Sequence, residues 1–272
     1  RVYPFNNREI RQALALVFPY EFINKIINHN LLNKTNGPWD NSELAATISA
    51  SSLSRSILKK YSDDISKHAL EDLKKNNNNE REKRNTALQL LNSNGWELIN
   101  GKMIDKMTKN VFEFEVITNQ SKIEKLLLIW KDKLNKIGIK LKIRVIDSAQ
   151  FQNRLQNFNF EAVNFSYYMS LSPGNEQSIY WGSWAADEKG SRNYSGIKHK
   201  AIDEIIEKLT KSRNRKDLIE YTRTLDRLLR AGYWMIPLFH DPLHRIAHQK
   251  HIDITKQIPL YGFNPWTSWQ DK

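Results

Sequence analysis

Apolar positions along the chain change period several times, and each change marks an element. Residues 8 to 28 carry Ile10, Ala13, Leu14, Val17 and Phe18, then Ile23, Ile26 and Ile27, at helical spacing on either side of Pro19. Proline biases the preceding residue away from the α region, so two helices are expected with a break at Pro19. Residues 81 to 94 predict a helix with Ala87, Leu88 and Leu91 inward. It stops at Gly95, where a left-handed cap costs little. The segment NNNNEREKR at 76 to 84 reads as a loop entering that helix.

The period then drops to two. FEFEVITN at 112 to 119 places Phe112, Phe114 and Val116 on one face of a half-buried strand. Residues 121 to 137 return to helical spacing through Ile123, Leu126, Leu127, Trp130 and Leu134. Gly138 stops that helix, and IKLKIRVID at 139 to 147 reads as a second strand. Strand, helix, strand over this length predicts a right-handed crossover between parallel strands. A short helix from Ser148 as cap to Leu155, a third strand over 160 to 168, and helices at about 200 to 210 and 216 to 231 complete an α/β pattern.

Composition adds exclusions. With 272 residues, 40% hydrophobic and 11% aromatic, the chain carries enough apolar mass for a large core. Its longest apolar runs, LLLIW and MIPLF, fall far short of the roughly 18 residues of a membrane span, and no export signal is visible in RVYPFNNREIRQ. The absence of Cys removes disulfides, thiolate metal sites and a cysteine nucleophile. A net charge of +12 favours polyanionic partners in general, yet the bases are dispersed. Lys140, Lys142 and Arg144 share a strand face without interleaved aromatics, so a solvated surface is expected rather than a nucleic-acid footprint.

Candidate chemistry is sparse. His240, His244, His248 and His251 have the spacing of ligands on a helix, but Pro242 breaks that helix and an extended chain separates them too far for one ion, so no metal is expected. No P-loop, GxSxG or dinucleotide fingerprint occurs, and acidic pairs such as Asp63–Asp64 and Glu113–Glu115 lack an accompanying nucleophile, so neither enzyme activity nor a cofactor is expected. The informative stretch is YYMSLSPGNEQSIYWGSWAADEKGSRNYSGI at 167 to 197, a long loop leaving a strand. Loops at the C-terminal ends of parallel strands are where α/β proteins hold ligands, and a surface loop whose aromatics plug the core fits the same pattern equally well. Tyr167, Tyr168, Tyr180, Trp181 and Trp184 offer apolar walls with polar tips. Asn175, Glu176, Arg192 and Asn193 offer the few convergent polar groups such a pocket needs.

These segments, in this order, resemble a known family. PFNNREIRQALALVF at 4 to 18, NSELAA at 41 to 46, LLNSNGW at 90 to 96, SPGNEQ at 172 to 177, WAADEKGSRNYSGI at 184 to 197, TRTLDRLLRAGYWMIPLFH at 222 to 240 and PLYGFNPW at 259 to 266 are similar to the C-terminal lobe of family 5 extracellular solute-binding proteins. These are the oligopeptide and dipeptide receptors of ABC importers, and the likeness is to the Yej-type, microcin C and oligopeptide-binding subgroup. The resemblance implies a lobe of the type II periplasmic-binding-protein fold, a mixed sheet flanked by helices. It implies residues 1–248 as ligand-binding lobe and 249–272 as a tail returning to a second, N-terminal lobe that this sequence lacks. It also implies a peptide or peptide-like ligand, an inner-membrane ABC permease as partner, and a periplasmic location. Where oligopeptide receptors carry an Asp for the ligand's α-amino group, this chain has Met169, Ser170 and Ser172, and the two serines join the expected ligand set. The competing expectation is a stand-alone basic adaptor for nucleic acid or anionic membrane.

Overall fold

A computed structural model describes residues 3–73, 79–253, 262, 264, 269 and 270. The break at Pro19 is realised: α1 (Arg8–Leu16) is capped by the Asn7 side chain, and α2 (Tyr20–Ile26) starts directly after the proline. After β1 (Asn33–Lys34) come α3 (Ser52–Leu58) and α4 (Asp64–Leu70), capped by Ser51 and Asp63. The helix α5 (Glu80–Ser93) opens on a capping box in which the Asn79 side chain accepts from the Glu82 amide and the Glu82 carboxylate accepts from the Asn79 amide. Gly95 follows at φ +86°, the left-handed conformation its position demanded.

A hairpin of β2 (Trp96–Ile99) and β3 (Lys102–Asp105) leads into β4 (Glu113–Thr118), α6 (Ser121–Asn135) and β5 (Lys140–Val145). The crossover is parallel, as predicted, with Glu113 opposite Lys140 and Val116 opposite Ile143. Gly138 makes the return at φ +77°, where a β-carbon would collide with the Met103 amide. Next come α7 (Ser148–Gln156) and β6 (Ala162–Val163), which pairs parallel with β4 on its other side, giving sheet order β5-β4-β6. Two expectations need correction here. The cap of α7 is Asp147, whose carboxylate accepts from the amides of Ala149 and Gln150, and Ser148 is the first helical residue. The third strand is two residues rather than nine, because the chain leaves the sheet after Asn164, whose amide donates to the Ile117 carbonyl at 3.2 Å.

The remaining elements are helical: α8 (Glu176–Trp181), a 3₁₀ turn at Ser183–Ala186, α9 (Lys200–Thr210) and α10 (Arg215–Gly232). The strand β7 (Phe239–His240) pairs antiparallel with β1, and β8 (Ile252–Asp253) with β9 (Trp269–Gln270). The rest of the tail expected at 249 to 272, including Trp266 and the side chain of Trp269, lies outside the described residues.

Apolar side chains collect in two main cores. One packs α1, α5, α6 and the hairpin on one face of the sheet around Ile10, Leu91, Phe112, Phe114, Trp130 and Leu134. The other is helical, with Leu44, Leu58, Trp181, Ile205, Leu225 and Leu228 between α3, α4, α8, α9 and α10. The opposite face of β4 carries a smaller cluster of Ile117, Phe151 and Leu155. An aromatic chain joins that cluster to the helical core: Phe165 against Tyr194 (4.6 Å) and Tyr167 (5.0 Å), then Tyr167 against Trp181 (4.7 Å). The second junction is polar. Arg8 Nε donates to the Ala231 carbonyl at 2.6 Å, and Arg11 Nε and Nη2 donate to the Gly232 carbonyl at 3.0 and 2.8 Å, so α1 caps the negative end of α10. The Arg11 guanidinium also lies 3.9 Å from the Trp234 ring centroid, and burial lowers its pKa to about 10.

The basic stripe of β5 is paired with its neighbour, three cations sharing two carboxylates of β4. Lys140 and Lys142 pair with Glu113, and Arg144 pairs with Glu115, which Arg154 reaches from α7 at 2.9 Å. Two hydrogen-bonded guanidinium groups outweigh the partial burial of Glu115 and lower its pKa from 4.5. A carboxylate depressed in the folded state stabilises above its unfolded pKa, and that contribution disappears as pH falls through the folded value. Glu115→Gln should therefore flatten the acid limb of a stability–pH profile below about pH 4.5 while costing about 1 kcal/mol or less at pH 7, because the ring of charges is half exposed. Denaturant midpoints measured from pH 3 to 7 check this; parallel profiles for the two proteins contradict it.

Candidate functional site

Because β4, β5 and β6 are parallel, their C-terminal ends form one edge, and the chain leaving β6 runs from that edge through 164 to 175 into α8. Three anchors set the path of this segment. Arg215 Nη1 donates to the Leu171 carbonyl at 2.5 Å while the same guanidinium pairs with Glu43. The Tyr167 hydroxyl donates to the Arg192 carbonyl at 2.9 Å, and burial raises its pKa. Glu176 Oε1 accepts from the Gly174 amide at 2.9 Å and from Gln177 Nε2 at 3.1 Å, closing the turn that begins at Pro173.

The second half of the loop is held as tightly. Asp203 of α9 accepts from the Ser183 amide at 2.8 Å and from its hydroxyl at 2.5 Å. Asn193, fully buried, spans the loop's closure: its Nδ2 donates to the carbonyls of Gly182 and Ile197, both at 2.9 Å, and its Oδ1 accepts from the Ile197 amide at 2.8 Å. A buried amide with all three of these bonds made is a structural bracket.

The structure divides the predicted set. Trp181 is 0% exposed, with its indole Nε1 donating to the buried Gln177 Oε1 at 2.9 Å, and Tyr180 is 7% exposed beside it. These two and Asn193 face the helical core, and Tyr167 belongs to the aromatic chain beneath the loop, so these four build the platform. Glu176 is spent on the turn. Facing outward are Tyr168, 87% exposed, together with Ser172, Asn175 and Arg192; Ser170, half-buried, uses its hydroxyl to accept from the Ser172 amide at 2.9 Å. Trp184 is 58% exposed, its Nε1 donating to Ser178 Oγ at 3.0 Å, so its ring is oriented yet open. This is an open face, an aromatic and amide surface on a rigid bed rather than an enclosed pocket.

Two histidines of the run from 240 to 251 have polar neighbours of their own: His240 Nδ1 sits 3.0 Å from Thr35 Oγ1, and His248 Nδ1 is 3.0 Å from the Gln249 carbonyl. Asp63, weighed as part of an acidic pair, caps α4 and meets His199 Nε2 at 2.9 Å, which together with the Ser66 amide lowers its pKa. Sequence reasoning missed Arg227, buried in α10, which donates to the carbonyls of Thr47, Ile48, Ala69 and Glu71. It gave no signal beyond an arginine at a position whose helical neighbours, Thr224 and Ala231, are buried.

Residues 1–189 match the family described as bacterial extracellular solute-binding proteins, family 5 Middle. The chain is 32% identical over 271 residues to a binding protein of Brucella suis, and 30% identical over 274 residues to an Agrobacterium fabrum protein named "Probable peptide-binding protein YejA". Each comparison covers 97% of this chain and 44% of the relative. Among solved structures, the oligopeptide-binding protein AppA of Bacillus subtilis, in complex with a nonapeptide, superposes with a TM-score of 0.69 at 21% identity, over 98% of this chain and 48% of AppA. The chain belongs to the family 5 bacterial extracellular solute-binding proteins, and its fold is the α/β architecture of the type II periplasmic binding proteins. It spans less than half the length of the curated relatives it matches. No helix among the described residues is long and apolar enough to cross a membrane.

Proposed function

We propose that this chain is one ligand-binding lobe of a Yej-type receptor that captures peptides or peptide-like compounds in the periplasm and hands them to an ABC permease. The observation that carries the reading is the outward set Tyr168, Ser172, Asn175 and Arg192 on a loop pinned by Arg215, Asn193 and Asp203 at the C-terminal edge of a parallel sheet. A rigid bed presenting one large, nearly naked aromatic, a serine hydroxyl, one amide and a guanidinium suits a ligand whose backbone is held by hydrogen bonds and whose side chains vary. The YejA and AppA relatives are named for peptide binding, which points the same way. The basic-adaptor alternative loses one support, because the stripe on β5 is paired with Glu113 and Glu115.

The mechanism is that of a jaw. This lobe supplies one wall, a second lobe supplies the other, and affinity arises when both contact the ligand at once, so closure and binding are one equilibrium. The serines at 170 and 172, in place of an acidic group, leave no carboxylate on the outward set to pair with a ligand's α-amino group. Recognition then rests on stacking, the Asn175 amide and the Arg192 cation.

Tyr168→Ala should weaken peptide binding by about 1 to 3 kcal/mol, as for an aromatic anchor, without lowering stability, since the ring is 87% exposed. Titration calorimetry with a pool of short peptides checks this, on the chain joined to the remaining portion of the A. fabrum relative. An unaltered affinity removes this loop from the ligand face.

A further inference from the structure

On the far side of the first core, where α1 gives way to α2 and both lie near α5 and α6, there is a concavity of about 260 Å³. Its floor is apolar: Leu16, half-buried, with Val17, Phe18 and Pro19, largely buried, running from the last residue of α1 to the N-cap of α2. Its rim is cationic, with Arg81, Lys83 and Arg84 from α5 and Lys133 and Lys136 around the end of α6. Two carboxylates share the rim, and both are already engaged. Glu21 pairs with Lys83 at 3.3 Å, and Glu80 pairs with Lys133 at 2.6 Å. Arg81, Arg84 and Lys136 are exposed and have no acidic partner among the described residues.

This surplus of charge is local and unlike that of β5, where the cations find carboxylates in register. A further cation stands close by: Lys34 lies 4.2 Å from the Tyr20 ring centroid, and burial and the neighbouring Lys83 lower its pKa. Three unpaired cations around an apolar floor favour a ligand that is anionic at one end and apolar at the other. A bare ion would leave the floor wet, and a neutral apolar molecule would leave the guanidinium groups unused. The volume holds about nine waters at the density of the liquid, which is the size of one phosphate or carboxylate with a short hydrocarbon arm.

We infer that this concavity is a second binding site, separate from the loop face after β6, for a small amphiphilic anion: a phosphate ester or carboxylate whose head meets Arg81 and Arg84 and whose apolar arm lies along Leu16 and Pro19. The inference does not depend on the peptide reading, since no residue of the rim or floor belongs to the loop at 164 to 197.

The test uses the full chain and three probes: inorganic phosphate, hexyl phosphate, and vesicles of phosphatidylglycerol. Calorimetry should show hexyl phosphate binding at least about fivefold more tightly than inorganic phosphate. The double variant R81E/R84E should weaken that binding about tenfold or more. The double variant R213E/K216E changes net charge equally at the remote start of α10 and should leave binding within about twofold. Circular dichroism melts establish that both variants fold, as expected for exposed helix positions. Equal losses in the two variants would reduce the effect to overall charge and overturn the inference. So would equal affinity for the two phosphates, which would leave the apolar floor without a role. Vesicle binding that depends on Arg81 and Arg84 without any binding of hexyl phosphate would replace a small-molecule site by a membrane-facing surface and overturn it as well.

Discussion

Arg227→Met should cost about 3 to 5 kcal/mol of stability, the largest loss expected from any single change outside the apolar cores. Arg227 is 1% exposed, and its guanidinium serves four backbone carbonyls, at Thr47, Ile48, Ala69 and Glu71, rather than a carboxylate. These carbonyls lie just before α3 and at the end of α4, so one side chain of α10 holds both ends of a long excursion against the helical core. Burial lowers the pKa of the group, which nonetheless stays charged at neutral pH because an arginine starts so high. Methionine matches much of the apolar stem but donates nothing, so the carbonyls lose partners that water can only partly replace. Arg227→Lys should fall between, since an ammonium cannot span four acceptors in one plane. Urea midpoints for the three proteins measure this; a Met variant within about 1 kcal/mol of the parent would show that the excursion is held by its apolar contacts alone.

The second large effect separates platform from ligand face. Trp181→Ala should destabilise by about 3 to 5 kcal/mol, through a cavity and through the Gln177 amide oxygen left without its indole donor in a buried site. Trp184→Ala, three residues on, should change stability by less than about 1 kcal/mol, because the ring is 58% exposed. Thermal or denaturant unfolding of the two variants side by side decides the matter. Comparable losses would mean that the exposed face is itself part of the packing, and the division of the loop into an inner and an outer set would fail.

The same pair of tryptophans explains what the sequence could and could not reveal. Where apolar residues recur with a period, as at Leu126, Leu127, Trp130 and Leu134, the period states both the element and its buried face, and the crossover from β4 through α6 to β5 was legible for that reason. The loop from 167 to 197 has no sustained period. Tyr167 and Tyr168 are neighbours, yet one lies in the aromatic chain and the other stands in solvent. Its place after a parallel strand was legible, but only tertiary packing sorts Trp181 from Trp184. The third strand ended early for a similar reason. Its alternation continues through Phe165 and Tyr167, but those rings follow Tyr194 and Trp181 rather than the sheet. Asn193 looked like a ligand group because buried and exposed amides are identical in sequence, and its three internal bonds distinguish it only in space. The basic concavity was invisible because its floor and rim come from segments more than 60 residues apart.

The junction at the end of α10 has a bearing on how the lobe comes apart. The sheet-based core and the helical core are each closed by their own apolar contacts, and what ties them on one side is a pair of guanidinium groups on the carbonyls of Ala231 and Gly232, with the Trp234 ring as a lid. Bonds of this kind are short-ranged and directional, so they hold two bodies in register without merging them. On partial denaturation the two halves would behave as separate cooperative units, with α1 leaving together with the sheet and α10 remaining with its helical neighbours.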